Sequence, residues 1–396
     1  MKLLTPALLV SLATGFAGFA NAAEAPEAAR RIAQDVVIVD THIDAPGELL
    51  DHWNDLGLPT PTRQFDYPRA RAGGLDVAFM SIYTSADEDE RGEAWQIAQT
   101  QIDAVEAMVA RHPDKFALLR SPKDVQELQR GNKVLLALGM ENGGPIGDDL
   151  SKVAAFHARG VRYITLAHGR NNRISDSATD SAPRWNGLSP FGREVVKEMN
   201  RVGIMVDVSH LSEAAIRQAA ELSSVPVIAS HSALRHFTPG FQRNISDENV
   251  KVIAAKGGVI QVPFGSIFID AQAANAYANV LREREAYRVA KLAAEVAGKP
   301  FTAPEPNSPV APPTSINQVF DNVDRIVQLA GVDHVGIGSD FDGVNGELAA
   351  ELQSVADYPQ FVAGLQQRGY KDADIRKILG GNLLRVWTEV ENAAKR

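Results

Sequence analysis

The chain has 396 residues, of which 45% are hydrophobic and 22% are charged, a balance typical of a globular protein with a large core. Its formal net charge is −9 and no cluster of lysine and arginine stands out, which argues against a surface for nucleic acid or an anionic membrane. There is no cysteine, so neither a disulfide nor a lipid-attached cysteine is available.

The amino end is typical of a secretory signal peptide. Lys2 precedes an apolar run over Leu3–Ala20, and Ala20-Asn21-Ala22 forms a small-x-small cleavage site. We therefore expect residues 1–22 to be removed and the mature protein to be periplasmic or secreted. A membrane anchor is the weaker alternative, because the run is short and no basic stop follows it. No later apolar run is long enough to span a bilayer.

Beyond this segment, apolar runs alternate with helical segments. Pro26–Asp35 is expected to be a short amphipathic helix with proline in its first turn. We expect strands over eight runs: Val36–Asp40, Val77–Thr84, Val134–Glu141, Val161–His168, Ile204–Val208, Val225–Ala229, Gly257–Phe264 and Val335–Gly343. This alternation favours a (β/α)8 TIM barrel, whose active site lies at the carboxyl ends of its strands. An open doubly wound sheet is the alternative. It is expected to carry a glycine-rich phosphate turn after the first strand, where this chain has DTHIDAPGELL.

We expect a single barrel domain over residues 23–396, with two segments that interrupt the alternation. A long polar loop follows His168 on the catalytic side and is interpreted as a lid or binding loop, with a merely solvated insertion as the alternative. Residues 270–314 are expected to hold an extra helix, from Asp270 to Ala297, and a stiff proline-rich connector. Helices after Gly343 are expected to close the barrel.

Most of the expected strands end in a residue that could bind a metal ion. His210 and His231 end consecutive strands, and two such histidines favour ligands over satisfied core residues. His42 and Asp44 lie two apart in an extended segment, so that they share a face. Together with Glu141 they offer imidazole and carboxylate groups without a thiolate. This donor set suits zinc, with manganese or cobalt as substitutes.

The number of these donors favours two ions over one. His42 and Asp44 would hold one ion, His210 and His231 the other, and Glu141 would bridge them. Two ions roughly 3.5–4 Å apart share a water and lower its pKa toward 7. The alternative is a rim of ordinary hydrogen-bonded polar residues with no metal.

Seven motifs, in order, resemble those of the membrane (renal) dipeptidases and their bacterial relatives. They are DTHID, GMENG, TLAH, DVSH, SHS, GSDFDG and GNLLRVWTEVE, and they extend from about Val36 to Glu391. The resemblance implies a (β/α)8 barrel of the metal-dependent amidohydrolase type with two zinc ions. It also carries the ligand assignments over to His42, Asp44, Glu141, His210 and His231.

The resemblance implies roles for three residues that spacing leaves open. His168 resembles the family's substrate-facing histidine, which polarises the scissile carbonyl or holds its oxyanion. Arg243, in RNISDE, resembles the arginine that binds the terminal carboxylate of the substrate; without the resemblance it is a solvated loop charge. Asp340 resembles the catalytic aspartate that moves a proton to the leaving amine. The family's substrate-pocket tyrosine has no counterpart in VPFGSIF.

These observations together predict a dizinc dipeptidase whose partner is a small dipeptide. Binding of the free carboxylate by Arg243 would limit the substrates to dipeptides, and the family's tolerance implies that a D-residue is accepted at the C-terminal position. The resemblance also suggests a homodimer. Family members on animal cell surfaces have cysteines and a lipid-anchor signal at the carboxyl end, which this sequence lacks, so we expect no membrane anchor after signal cleavage. Two alternatives remain. One is an amidohydrolase acting on another small amide, ester or lactone, and the other is a non-catalytic periplasmic binding protein on the same barrel.

Overall fold

The structure is a computed structural model that describes residues 25–128, 132–307 and 314–394. The expected signal peptide, residues 1–22, and part of the proline-rich connector lie outside the described residues. Within the described ranges, no helix is both long enough and apolar enough to cross a membrane.

Eight parallel strands close into a barrel, and a ninth short strand lies beside it. In chain order they are β1 (Ile38–Ile43), β2 (Leu75–Tyr83), β3 (Phe116–Leu118), β4 (Val134–Glu141), β5 (Val161–Thr165), β6 (Met205–Asp207), β7 (Ile228–Ala229), β8 (Val259–Val262) and β9 (Val335–Ile337). Strand β1 pairs with β2 and β9, and β2 pairs with β4, so the circle closes without β3. The predicted (β/α)8 barrel is confirmed.

Strand β3 was not predicted. Its residues pair with the start of β4, at Val134 to Leu136, whereas β5 pairs with β4 further along, at Leu138 to Met140. A strand of three residues is too short to show the alternation by which strands are recognised in a sequence. It extends the sheet locally without entering the barrel.

Helices follow the strands. They are α1 (Glu27–Asp35), α2 (Ala45–Asp51), α3 (Tyr67–Gly73), α4 (Ala86–Glu90), α5 (Ala94–Arg111), α6 (Val125–Leu128), α7 (Ser151–Arg159), α8 (Pro190–Val202), α9 (Glu213–Leu222), α10 (Asp247–Ala255), α11 (Ser266–Ile269), α12 (Ala271–Val296), α13 (Ile316–Ala330), α14 (Tyr358–Gln367), α15 (Asp372–Arg376) and α16 (Asn382–Ala394). Serine hydroxyls cap α8, α9 and α10 by accepting a backbone N–H of the first turn.

Two hydrophobic clusters form the core. The larger one contains side chains of the strands and of the helices packed on them, and the smaller one contains the alternate side chains of the strands. Because successive strand residues point to opposite faces, the smaller cluster fills the interior of the barrel. Helix α16 contributes Leu383, Val386, Trp387 and Val390 to it, at helical spacing, and so closes the end of the barrel away from the carboxyl ends of the strands.

Helix α12 lies where the extra helix was predicted, and it is 26 residues long. Its buried residues, Ala273, Ala274 and Val280, all belong to its first half. Helix α12 follows directly on α11, which comes after β8. The first half of this insertion therefore packs beside the carboxyl ends of the strands, where it can contribute to a site.

Candidate metal centre

The residues predicted to form the site lie together at the carboxyl ends of the barrel strands. His42 lies in β1 with Asp44 just beyond it, and Glu141 is the last residue of β4. The remaining predicted residues come after β5, β6, β7 and β9, and they are His168, His210, His231, Arg243 and Asp340. Parallel strands of a barrel bring their carboxyl ends to one rim, which is why residues far apart in sequence meet here.

Several strands end earlier than the sequence pattern predicted. Strand β5 ends at Thr165 and β9 at Ile337, and the chain beyond them leaves the sheet before it reaches the site residues. His210 and Asp340 have positive φ angles of 66° and 65°. Residues other than glycine adopt this left-handed conformation rarely, and such strain is concentrated at functional sites. Here it turns both side chains toward the centre of the rim.

Glu141 lies at the middle of the site. Its Oε2 is 3.3 Å from Nε2 of His42. Its Oε1 is 3.4, 3.1 and 3.3 Å from the Nε2 atoms of His168, His210 and His231. The two oxygens of one carboxylate therefore face different imidazoles, as they would in a carboxylate that bridges two ions.

Three overlapping groups of side chains could each hold a cation. Each offers three ligand atoms within 4.8 Å of one another: His42 with Asp44 and Asp340, Glu141 with His42 and His231, and Glu141 with His168 and His210. The Nε2 atoms of His210 and His231 are 2.8 Å apart, and Nε2 of His42 is 3.5 Å from Oδ2 of Asp44. The two ligand pairs predicted from the sequence are thus close pairs in space.

The surroundings of His42 fit a divalent metal ion. Its Nε2 is buried without a hydrogen-bond partner, although buried polar atoms are nearly always paired. Its Nδ1 lies 2.8 Å from the Tyr163 hydroxyl, and that hydroxyl donates to the Thr41 carbonyl at 2.9 Å. The hydroxyl therefore accepts the hydrogen on Nδ1, so that the neutral His42 ring has its lone pair on Nε2, where it can bind a cation.

Burial and neighbouring charges favour the protonation states of metal ligands. Burial opposes ionisation of Glu141, but His42 and His168 hold its pKa well below the usual range. Burial lowers the pKa values of His210 and His231 well below that of a free imidazole. Glu141 is thus favoured as a carboxylate anion, and His210 and His231 as neutral imidazoles, and these are the forms that bind metals.

Two further groups of the site, Asp340 and His42, favour a bound proton. Burial and the negative charge of Asp44 raise the pKa of Asp340 well above its ordinary value. Burial opposes protonation of His42, but Tyr163, Asp44 and Glu141 raise its pKa well above the usual one. Crowded carboxylates take up protons to reduce their repulsion, and a divalent cation would reduce the same repulsion.

Arg243 reaches the same site from the segment after β7. Its Nη1 donates to Ser232 Oγ at 2.9 Å and its Nη2 to the His231 carbonyl at 2.7 Å, while its guanidinium lies 5.1 Å from the centre of the Phe268 ring. The side chain is buried, and its Nε has no hydrogen-bond partner. A buried guanidinium with an unpaired N–H is suited to bind an anion.

The site opens into a cavity of about 460 Å³, a size typical of small-molecule sites. All the predicted site residues except the fully buried His42 line it. Apolar side chains form other parts of the wall, among them Ile97, Ile267, Phe268 and Leu281. The cavity therefore joins a charged floor to apolar walls, as a site for a small polar substrate with side chains requires.

The sequence model of a known protein family matches nearly the whole chain. The model for membrane dipeptidases (Peptidase family M19) matches residues 26–396. The chain belongs to the membrane dipeptidase family. As a member of this family it is a metal-dependent dipeptidase.

The chain is similar to proteins named dipeptidases in fungi and bacteria. Dipeptidase tcpJ of Claviceps purpurea (strain 20.1) is 31% identical over 336 residues, which cover 83% of this chain and 70% of the relative. Dipeptidase verJ of Clonostachys rogersoniana is 30% identical over 380 residues, 92% and 87% of the two chains. The crystal structure of the probable dipeptidase PvdM from Pseudomonas aeruginosa matches with a TM-score of 0.77 at 28% identity, covering 93% of this chain and 98% of that one.

The membrane dipeptidase site also contains two tyrosines that were not predicted from the sequence. Tyr83 ends β2, and its ring packs edge-on against His168 with 4.8 Å between ring centres; Tyr277 lies on α12. Both line the cavity. Tyr83 could have been found as the last residue of its strand, like Glu141. No local pattern distinguishes Tyr277 from other residues of α12, because only the packing of that helix brings it to the site.

The polar loop after His168 contributes to the wall of the dipeptidase cavity through Gly169 and Thr179. Its own side chains hold it: Asp176 accepts backbone N–H groups of Arg184 and Gly187 at 2.9 Å each. Arg170 forms ion pairs with side chains of α4. The loop is therefore a fixed part of the site wall, which favours the interpretation as a binding loop.

Proposed function

We propose that the chain is a dizinc dipeptidase whose metal ligands are His42, Asp44, Glu141, His210 and His231. The observation that carries the proposal is the position of Glu141, whose two oxygens face different imidazoles. Imidazole and carboxylate donors without thiolate favour zinc, with manganese or cobalt as substitutes. When bound, two such ions polarise the scissile carbonyl and lower the pKa of water.

His168 would face the substrate. Its side chain is 27% exposed, whereas those of His42, His210 and His231 are 0%, 10% and 1% exposed. Burial lowers its pKa, so that the imidazole is neutral at pH 7 and can carry a hydrogen on one nitrogen only. That N–H would donate to the scissile carbonyl oxygen as negative charge develops on it.

Asp340 would move the proton that hydrolysis requires. Its carboxyl lines the cavity beside Asp44, and burial together with the charge of Asp44 raises its pKa. A carboxylate with raised affinity for a proton can accept one from the attacking water and pass it to the leaving nitrogen. Its backbone at this position is left-handed, and its side chain lines the cavity in which the substrate would lie.

Arg243 would bind the terminal carboxylate of a dipeptide. A guanidinium offers two parallel N–H donors to a carboxylate, and in this buried position such a pair restricts substrates to those with a free carboxylate one residue beyond the scissile bond. We extend the proposal to dipeptides with a D-residue at that position, because the sequence motifs resemble a family that tolerates them.

Replacing Arg243 tests the dipeptidase function directly. Arg243→Met keeps the bulk of the side chain and removes its donors. We expect kcat/KM for dipeptides to fall by on the order of a hundredfold, about 2.7 kcal/mol at roughly 1.36 kcal/mol per decade. Metal content should stay the same. Arg235→Met is the matched control, since Arg235 lies in the same segment but pairs with Glu213.

A dipeptide with an amidated carboxyl end separates this function from that of a general amide hydrolase. The wild type should cleave it poorly, and Arg243→Met should no longer distinguish it from the free dipeptide. Equal cleavage of both substrates by the wild type would show that Arg243 does not select the terminal carboxylate, and it would favour activity on other small amides as well. Parallel rates on L,L- and L,D-dipeptides would test the tolerance of a D-residue.

We further propose that residues 1–22 are a signal peptide, that the mature protein is periplasmic or secreted, and that it forms a homodimer. Lys2, the apolar run and Ala20-Asn21-Ala22 support the export of the chain. Mass spectrometry of the protein recovered from its host should find the amino terminus within a few residues of Ala23. Recovery of the intact chain from the cytoplasm would contradict export, and light scattering measures the oligomeric state.

A further inference from the structure

A buried carboxylate lies directly beneath the proposed metal ligands and has no part in the mechanism above. Asp207, the last residue of β6, is 0% exposed. Its Oδ1 accepts the backbone N–H groups of Ser209 at 3.0 Å and Ser230 at 2.8 Å. Its Oδ2 accepts the hydroxyls of Thr165 and Ser230. Four donors thus converge on one carboxylate, which has about four lone-pair sites and no hydrogen of its own when ionised.

These contacts determine where the hydrogen of the Ser230 hydroxyl points. Ser230 Oγ is 2.6 Å from Asp207 Oδ2, and Asp207 can only accept, so the hydroxyl donates to it. The other polar neighbour of Ser230 Oγ is Nδ1 of His231, at 2.9 Å; the Ser209 hydroxyl is farther away, at 3.5 Å. Because the single hydrogen of Ser230 is already used, its oxygen must accept a hydrogen from His231 Nδ1.

We propose that Asp207 and Ser230 are positioning residues that fix the tautomer of His231. They hold the hydrogen on Nδ1, so that Nε2 presents its lone pair to a cation. This inference rests on the dizinc function proposed above. In the metal-free protein the 2.8 Å contact between the two Nε2 atoms then has His210 donating to His231.

A second buried aspartate at the same rim has similar backbone contacts but no side-chain connection to an imidazole. Asp40, in β1, is also 0% exposed and accepts backbone N–H groups from His42 at 3.1 Å and Ser339 at 3.0 Å. Its other oxygen accepts the Tyr358 hydroxyl, which leads away from the histidines. Asp40 therefore joins β1 to the segment after β9, whereas Asp207 joins its neighbouring strands and also acts on a ligand through Ser230.

The decisive variant is Asp207→Asn, which keeps size and shape. The asparagine oxygen still accepts the two backbone N–H groups, but its NH2 donates toward the hydroxyls of Thr165 and Ser230. The Ser230 hydrogen must then turn to His231 Nδ1, and the imidazole hydrogen moves to Nε2, where it obstructs a metal. We expect zinc affinity to fall 10- to 100-fold, the loss typical of changes in the partners of metal ligands.

Two measurements on purified apoprotein test this expectation. Long-range ¹H–¹⁵N spectra of the metal-free protein, labelled with ¹⁵N-histidine, distinguish a hydrogen on Nδ1 from one on Nε2. The His231 signals are assigned by their absence in His231→Gln. The wild type should show His231 with its hydrogen on Nδ1, and Asp207→Asn should show it on Nε2. Competition with a chromophoric chelator, using zinc alone, measures the affinity.

Two further variants distinguish an effect on the His231 tautomer from an effect on stability. Ser230→Ala removes the hydroxyl that links Asp207 to His231 but leaves Asp207 in place, so it should also weaken zinc binding. It keeps the inference testable if Asp207→Asn does not fold. Thr165→Val removes another hydroxyl from the same Asp207 oxygen without touching His231. It should keep the wild-type spectrum and zinc affinity, although it loses a hydrogen bond of the same kind.

The inference is overturned if Asp207→Asn and Ser230→Ala keep His231 with its hydrogen on Nδ1 and bind zinc as the wild type does. It is also overturned if Thr165→Val loses as much zinc affinity as Ser230→Ala, because the role would then be structural only. Wild-type protein that binds no zinc would overturn the dizinc function instead. The spectra of the metal-free protein would still decide the tautomer.

Discussion

The two ends of the barrel interior are built on the same strands but differ in chemistry. Along β2 the inward residues from the amino end are Val77, Phe79, Ser81 and Tyr83, and along β4 they are Leu135, Ala137, Gly139 and Glu141. The layers nearer the amino ends of the strands, here called the lower end, are apolar, and α16 covers them. The layers at the carboxyl ends of the strands, here called the upper end, contain the polar side chains of the candidate metal centre. Burial of apolar surface stabilises the lower end, whereas the upper end keeps buried carboxylates whose desolvation opposes folding.

Tyr163 connects the two ends. Its ring packs on Phe79 with 5.5 Å between ring centres, and Phe79 packs in turn on Trp387 at 5.3 Å. Its hydroxyl reaches His42 in the upper layer. Gly139 gives the ring its space, because a Cβ there would lie 2.0 Å from the Tyr163 ring. We therefore expect substitutions at the lower end to change stability and those at the upper end to change metal binding.

Trp387→Ala should have the largest effect and should act on stability alone. The side chain is fully buried at the lower end, so its loss leaves a cavity that costs about 3–5 kcal/mol of unfolding free energy. Chemical denaturation measures this loss, and elemental analysis of the folded fraction should find unchanged metal. Trp53→Ala is the matched control, because Trp53 is 56% exposed and its removal should stay within about 0.5 kcal/mol. Loss of metal in Trp387→Ala would show that the two ends are not independent.

Glu141→Gln should act mainly on metal binding. It removes the carboxylate between the two ligand pairs, so it should weaken both metal sites. We expect kcat/KM to fall by more than about 100-fold, because changes in residues that only hydrogen-bond to metal ligands already cost up to about 100-fold. The metal-free variant should also unfold at a somewhat lower denaturant concentration than the metal-free wild type, because the neighbouring histidines hold the pKa of Glu141 low and its ionised form therefore favours the folded state. His210→Ala should empty mainly one site. Equal, small metal losses in both variants would argue against a bridging carboxylate.

Gly139→Ala should affect both ends at once. The added methyl group forces Tyr163 to move, and overpacking of this kind costs about 1–3 kcal/mol. Because the Tyr163 hydroxyl moves with its ring, zinc affinity should fall as well. Gly47→Ala is the control, since a Cβ there meets nothing within 4 Å, and it should keep its stability and its metal. A variant Gly139→Ala that lost stability and bound zinc normally would separate Tyr163 from the metal centre.

Tyr163→Phe should have the smallest effect and the most specific one. It keeps the ring in the lower cluster and removes only the hydroxyl that accepts from His42 Nδ1. We expect zinc affinity to fall by about tenfold, or about 1.4 kcal/mol, with a loss of stability near 1 kcal/mol. Chelator competition and denaturation measure the two effects on one sample. An unchanged affinity would mean that His42 does not depend on this partner.

The sequence was sufficient for the barrel and for the expectation that the candidate ligands lie at one rim of it. The alternation of apolar runs with helical segments predicts parallel strands, and parallel strands in a barrel bring their carboxyl ends to one rim. Residues such as His42 and Glu141, which end or follow those strands, are therefore brought together by topology alone. No knowledge of the side-chain packing was needed to expect them within reach of one another.

Only the tertiary structure decided how these residues are held. The Tyr163 hydroxyl meets His42 across 121 positions of the sequence, and the carboxylate of Asp207 meets Ser230 across 23. Tyr277 reaches the cavity because α12 packs beside it, and His210 leaves the sheet with a positive φ angle. Periodicity reports which face of an element is buried, but not which side chain lies opposite. Partners, tautomers and local backbone turns therefore follow from packing between elements, which no local pattern in the chain records.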